Sequence, residues 1–234
     1  MTKIVVVTGC SRGLGFYVTQ DLLKHGYTVV GISRTPTQLS SENFFHYTCD
    51  LSDPASVVKC AKDIVNQRGE VYALVNNAAI GNDGVLPTQH NSEILKMIQI
   101  NLSTPILLSK YLSRSMLTQG FGRIINISSI VASTGYRGLS VYASTKGGLV
   151  AFTKSLARDL GSRRITVNAI LPGFMKSEMT QGISEVKLKQ ILSRSPLQEL
   201  VTFADVSQMI IFLLSDSGAN ITGTTITIDA GNTA

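Results

Sequence analysis

Apolar residues in this chain follow two rhythms that alternate along its length. Short runs rich in β-branched and aromatic residues occur at Lys3–Val7, Tyr27–Ile32, Asn43–Thr48, Val71–Val75, Arg123–Ile127, Ile165–Leu171 and Thr224–Ile228. Between them, apolar residues recur at three- and four-residue spacing. Leu14, Val18 and Leu22 form one such series, and Val57, Val58, Ala61, Ile64 and Val65 another. Ile94, Leu95, Ile98 and Leu102 begin a third that continues towards Met116. Leu149, Phe152, Leu156 and Leu160 form a fourth, and Val206 to Leu214 a fifth. The first rhythm predicts strands and the second predicts helices. Strands that are apolar throughout are buried on both faces, as in a parallel sheet covered by helices. The pattern therefore predicts an α/β fold: a doubly wound, Rossmann-type parallel sheet of seven strands with helices on both faces. No repeat, low-complexity tract or linker interrupts it, so residues 1–234 read as a single domain. Ligands of such sheets bind beyond the carboxyl ends of the strands. The residues just after each strand carry the functional information.

After the first strand comes Thr8-Gly9-Cys10-Ser11-Arg12-Gly13-Leu14-Gly15, which opens the first helix. Gly9 permits a tight turn, and Gly13 and Gly15 allow close approach to a ligand and to the sheet. The helix N-terminus offers N–H groups and a positive dipole end, which suit a pyrophosphate. The spacing is G-x-x-x-G-x-G rather than G-x-G-x-x-G, and a βα turn without a ligand could carry the same glycines. After the second strand stand Ser33 and Arg34, with no carboxylate to receive a ribose 2′-hydroxyl. Arg34, joined by Arg12, suits a 2′-phosphate, so NADP(H) is expected over NAD(H). After the third strand, Asp50-Leu51 can receive an adenine, or Asp50 can simply turn the chain, with Ser52 or Asp53 capping the next helix. After the fourth, Asn76-Asn77-Ala78-Ala79 allows close approach to a ribose, although Asn76 equally suits a tie between strands.

Two further features concern proton transfer. Pro105 lacks the N–H that would bond the Asn101 carbonyl in an α-helix, which leaves that carbonyl able to hold a water, or marks only a kink. After the fifth strand come Ser128-Ser129 and then Tyr142-Ala143-Ser144-Thr145-Lys146 at a helix start. Tyr142 and Lys146 are four apart and share a helix face, and a cation is disfavoured at a helix N-terminus. A phenol titrates near 10, too high for ready exchange at neutral pH. A nearby ammonium together with a bound oxidised nicotinamide would lower it. A three-unit shift corresponds to about 4 kcal/mol.

Composition narrows the class. The chain is 44% hydrophobic and 15% charged, enough for a full core. Its net charge of +6 fits a solvated basic surface or attraction to acidic partners. No run of basic residues with interleaved aromatics points to nucleic acid. Met209 to Leu214 is too short to span a bilayer, so no membrane partner is expected. Cys10, Cys49 and Cys60 lack metal-ligand spacing and fit free thiols in a reducing compartment. A strand beginning near residue 3 leaves no room for a signal peptide. A cytoplasmic protein without a metal is the expectation.

Together these motifs resemble the short-chain dehydrogenase/reductase family over essentially the whole chain. The matching elements are Thr8–Gly15, Asp50-Leu51, Asn76-Asn77-Ala78, Asn101, Ser129, Tyr142, Lys146 and Pro172-Gly173. Ser129, rather than Ser128, stands at the family's usual interval of 13 residues before Tyr142. The resemblance implies catalysis by Asn101, Ser129, Tyr142 and Lys146. Ser129 would position a carbonyl, Tyr142 would protonate it, and Lys146 would tune Tyr142 and hold the nicotinamide ribose. Protons would return past Asn101. It also implies cofactor contacts from Gly9, Ser11, Arg12, Gly13, Leu14, Gly15, Arg34, Asp50, Leu51, Asn77, Ala78, Ala79, Tyr142, Lys146, Pro172, Gly173 and Met175.

Ala79 replaces the family's usual glycine, Ser177 a common threonine, and Asp229-Ala230-Gly231 a common Asp-Gly-Gly ending. Within the family, Ser11-Arg12-Gly13, Val141-Tyr142-Ala143, Gly147-Gly148-Leu149, Phe174 and Glu178-Met179-Thr180 resemble the 3-oxoacyl-[acyl-carrier-protein] reductases of fatty acid biosynthesis. That resemblance implies a carrier-linked acyl substrate and an acidic acyl carrier protein as partner. Arg163 matches one docking position, and Gly120 lacks the charge at another. Thr180 to Pro196 would form a substrate lid, and a homo-oligomer, tetramer or dimer, would follow. The alternatives are an NADP(H)-dependent alcohol dehydrogenase or ketone reductase of a specialised pathway, and a non-catalytic NADP-binding sensor.

Overall fold

Each of the seven expected strands forms. The computed structural model describes residues 3–175 and 185–234. In chain order the elements are β1 (Ile4–Thr8), α1 (Gly13–Lys24), β2 (Thr28–Ser33), β3 (Phe44–Thr48), α2 (Pro54–Arg68), β4 (Val71–Asn76), α3 (Asn91–Ile98) and α4 (Thr104–Gln119). There follow β5 (Gly122–Ile127), the short α5 (Val131–Thr134), α6 (Ser140–Leu160), β6 (Ile165–Pro172), α7 (Glu185–Arg194), α8 (Phe203–Leu214) and β7 (Thr225–Ile228). The sheet order is β3-β2-β1-β4-β5-β6-β7, and every pairing is parallel. The order reverses between β1 and β4, which opens a crevice at their carboxyl ends.

Alternation along the strands sends side chains to two separate cores. Val6, Val30, Leu74 and Ile124 pack with α2 and α4 on one face. Val5, Val7, Val29, Ala73 and Val75 pack with α1 and α8 on the other. Full burial of such side chains stabilises by about 1.5–3 kcal/mol each. Asp53 caps α2 by accepting from the Ala55 and Ser56 N–H groups, and Pro54 occupies the first turn. Thr202 and Asp205 cap α8 reciprocally. Polar groups also cross the first core. Asn76 Nδ2 donates to Asn126 Oδ1 at 2.8 Å and to Ser109 Oγ at 3.3 Å, and Asn126 Nδ2 donates to Thr153 Oγ1 at 2.9 Å. Of the two roles open to Asn76, the tie between strands is the one its amide takes up.

The helix expected from Ile94 to Met116 is interrupted. Residues Gln99–Ser103 form a π-helical turn, in which the Thr104 N–H donates to the Gln99 carbonyl. Pro105 therefore lies in the first turn of α4, where its missing N–H costs little. The inserted residue also rotates the expected apolar face outward. Leu95 is 66% exposed and Ile98 37%, while Met97 takes the buried position.

The chain end folds back on α7. Asn232 Nδ2 donates to Ser195 Oγ at 3.3 Å and to the Ile191 carbonyl at 3.5 Å. The Asp229 carboxylate holds the final turn through Gly231 and Thr233. Of the expected lid, Thr180 and Ile183 lie outside the described residues, as do Ser177, Glu178 and Met179 before it. Among the described residues, no helix is long and apolar enough to cross a membrane, and no cluster of His, Cys, Asp and Glu suits a metal. Cys10, Cys49 and Cys60 are buried free thiols.

Candidate active site

The glycine loop closes the amino-terminal side of the crevice. Gly9 adopts a φ of +71°, and its N–H donates to the Ile32 carbonyl at 2.8 Å, locking the turn onto β2. A Cβ on Gly15 would lie 2.2 Å from the Gly9 carbonyl oxygen and 2.4 Å from Asn77 Nδ2, so only glycine fits. The start of α1 has no side-chain cap and no acidic residue in its first turn. These features fit a dinucleotide pyrophosphate: uncapped N–H groups, a positive dipole end and backbone without side chains in the way.

Across the crevice, Asn77 staples β4 to β1. Its side-chain amide donates to the Thr8 carbonyl at 2.9 Å. The backbone N–H groups of Asn77 and Ala78 donate to Thr8 Oγ1 at 3.0 and 2.9 Å. Ala78 and Ala79 follow, half-buried. Farther along the sheet, Asp50 accepts from the Ser52 N–H at 2.9 Å and the Ser52 hydroxyl at 2.8 Å. Those bonds hold its carboxyl below the usual range, with the Arg34 guanidinium a weaker contributor. Asp50 thus turns the chain through its Oδ1, and Asp53 is the cap of α2. Leu51 is buried, and its carbonyl accepts from Thr104 Oγ1 at 2.7 Å. Ser11 is half-buried in the loop, while Arg12 and Arg34 are exposed.

The other side of the crevice carries the residues expected to transfer protons. The two adjacent serines after β5 separate in role. Ser128 is buried and donates to the Lys146 carbonyl at 2.8 Å, pinning α6 to the sheet. Ser129 is half-buried, and its Oγ accepts from the Val131 N–H at 3.4 Å. Lys146 is 2% exposed, and its Nζ donates to the Ile127 carbonyl at 2.7 Å. The same Nζ lies 5.6 Å from the centroid of the Tyr142 ring.

The expected acidification of the phenol calls for a bound oxidised nicotinamide as well as the ammonium, and the chain's own groups do not supply it. Burial pushes Tyr142 up to about 12 and Lys146 down to about 8. Both groups have lost water, and the ammonium is directed at a carbonyl, so desolvation outweighs their attraction. The chain's own groups therefore hold Tyr142 protonated.

Asn101 has no exposed surface. Its Oδ1 accepts from the Ile80 N–H at 2.9 Å and its Nδ2 donates to the Ile80 carbonyl at 2.8 Å. The same Nδ2 reaches Thr145 Oγ1 at 3.3 Å, and Thr145 in turn donates to the Tyr142 carbonyl at 2.7 Å. Thr145 and Ser128 thus frame Tyr142 and Lys146, and sequence reasoning gave neither a role. Thr145 stands between the two reactive positions, and that adjacency was the available signal. Pro172 ends β6, the Gly173 N–H donates to the Ile228 carbonyl at 2.7 Å, and Met175 pairs with Val201. These three residues close the carboxyl-end rim on the β6–β7 side.

A family model described as enoyl-(acyl carrier protein) reductase matches residues 9–233. The chain is 36% identical to the 3-oxoacyl-[acyl-carrier-protein] reductase of Haemophilus influenzae, over 98% of this chain and 97% of that protein. It is 38% identical to the Escherichia coli enzyme of the same name, over 98% of this chain and 96% of that protein. It is 35% identical to the one from Pseudomonas aeruginosa, over 98% and 96%.

Proposed function

The chain belongs to the short-chain dehydrogenase/reductase family of nicotinamide-dependent oxidoreductases, and from that premise we propose that it reduces 3-oxoacyl thioesters with NADPH. In this reading, residues 1–234 act as one cofactor-binding unit in the cytoplasm, on an acyl group linked to an acidic carrier protein. The observation that carries it is the pairing of Tyr142 with a buried Lys146 whose Nζ bonds the last carbonyl of β5, two residues before Ser129.

A nicotinamide held in the crevice would supply a hydride. The chain supplies everything done to the oxygen. Ser129 Oγ orients the carbonyl by hydrogen bonding, and Tyr142 gives its proton to the oxygen as negative charge develops. A phenol near 12 suits this direction: it stays protonated at neutral pH, yet remains far more acidic than the alcohol that forms. Lys146, still cationic below about 8, stabilises the phenolate left behind. Asn101 ties Ile80 to Thr145, whose hydroxyl in turn holds the Tyr142 carbonyl. The family model's description names reduction of a carbon–carbon double bond, whereas the relatives' names specify a 3-oxo group. The relatives, matched over nearly their whole length, favour the carbonyl.

The preference for NADPH rests on Arg34 and Arg12 and on the absence of a carboxylate after β2. A homo-oligomer, tetramer or dimer, is part of the same proposal. Leu95, Ile98 and Ile106 expose an apolar face along α3 and α4 of the kind that subunit contacts cover.

The test is steady-state NADPH oxidation with an acetoacetyl thioester, compared with simple ketones and sugars. Turnover of the thioester is expected. Turnover of ketones alone would move the assignment to a ketone reductase of a specialised pathway. Equal oxidation by the wild type and Tyr142→Phe would leave only a cofactor-binding sensor.

A further inference from the structure

Where β1, β2 and β3 end side by side, three side chains meet at one hydroxyl. Ser33 Oγ donates to the Thr35 carbonyl at 2.8 Å. His46 Nε2, on β3, lies 2.9 Å from the same Oγ, and Cys10 Sγ, in the glycine loop, lies 3.4 Å from it. A Cβ on Gly31 would meet Cys10 Sγ at 2.5 Å, so the missing side chain on β2 makes room for the thiol. Cys10 and Ser33 are buried.

The chemistry of the cluster is fixed by counting protons. A serine hydroxyl has one hydrogen to give and two lone pairs to receive. Its hydrogen goes to Thr35, so His46 and Cys10 both act as donors to it. His46 therefore carries its proton on Nε2.

The position of the cluster gives it a consequence. The bond from Ser33 to the Thr35 carbonyl spans Arg34 and braces the backbone on either side of it. Cys10 stands two residues before Arg12. One hydroxyl thus ties together the two loops that carry the arginines, and His46 anchors that hydroxyl to β3.

We infer that His46 is a positioning residue for cofactor selection: through Ser33 it holds Arg34, and with it the spacing to Arg12, in the arrangement that receives a 2′-phosphate. The inference rests on the NADPH reading above. His46 touches no cofactor itself, so its removal acts on the cofactor that bears the phosphate and spares the one that lacks it.

Titration calorimetry of NADPH and NADH on the full chain tests this without any turnover. Arg34→Ala should weaken NADPH at least about tenfold, with little effect on NADH. His46→Leu should weaken NADPH about three- to tenfold, the worth of one oriented hydrogen bond, and leave NADH within about twofold. His46→Gln, which keeps an N–H donor, should recover most of the loss. If Arg34→Ala weakens both cofactors alike, the NADPH reading falls. If Arg34→Ala discriminates but His46→Leu affects both cofactors equally, or neither, the inference about His46 falls while that reading stands. A nitrogen-detected imidazole spectrum of the wild type gives a second reading should His46→Leu fail to fold. The Nε2–H tautomer is expected, with a larger shift on adding NADPH than on adding NADH. The other tautomer, or equal shifts, would overturn the proposal.

Discussion

Replacing Lys146 by methionine should make the nucleotide-free protein more stable while removing its activity. Methionine keeps the length and apolar stem of the lysine without its charge. Lys146 is held inside the protein at 2% exposure, and its pKa falls from the ordinary 10.5 to about 8. That depression corresponds to roughly 3 kcal/mol of destabilisation at pH 7, the cost of keeping the ammonium charged where water is excluded. Against it stands the bond from Nζ to the Ile127 carbonyl, whose loss costs about 1 kcal/mol. The expected net gain is about 2 kcal/mol. The sign follows from proton binding: between about 8 and 10.5 the unfolded chain holds the proton and the folded chain does not, so wild-type stability rises with pH there. Urea unfolding of both proteins at pH 7 and pH 10 is the assay. The advantage of Lys146→Met should shrink by about 2–3 kcal/mol across that interval. A difference that ignores pH, or a variant less stable at pH 7, would refute the claim that burial governs this lysine.

Three further outcomes follow from the same geometry. Tyr142→Phe should lower kcat for carbonyl reduction by about 100- to 10,000-fold, the usual contribution of a positioned acid, with an unchanged thermal midpoint in calorimetry. Asn101→Ala strips both bonds from the buried backbone of Ile80 and should cost about 2–4 kcal/mol in denaturant unfolding, with kcat falling as the Thr145 contact is lost. Gly15→Ala forces a methyl group against the Gly9 carbonyl, so dinucleotide affinity measured by calorimetry should collapse and stability should fall by about 1–3 kcal/mol.

The strands and most helices were legible because burial on both sheet faces leaves an unmistakable apolar record in Val5–Val7, Val71–Val75 and Ile165–Leu171. The residues after each strand were legible for the same reason, since topology gathers them at one end of the sheet. The stretch around Asn101 was not. Its apolar spacing reads as one long helix, and the π-helical insertion is decided by tertiary demands: Asn101 turning inward to hold Ile80, and Pro105 needing a first-turn position. The burial of Tyr142 and Lys146 was also hidden, because four-residue spacing brings a lysine near a phenol but says nothing of how much water each loses. Asp50 admitted two roles in the sequence, and its bonds to Ser52 show the turn. The clustering of Cys10, Ser33 and His46 comes from three separate segments and leaves no local mark.

The way the last residues grip α7 has a practical side. Asn232 fastens the last residues to the end of α7, and the Asp229 carboxylate holds their turn. An affinity tag or reporter fused there would strain those bonds and loosen the seat of α7. The amino terminus leads into the opposite end of β1, remote from the reaction. Fusions, surface immobilisation and fluorescent labels therefore belong at the amino-terminal end.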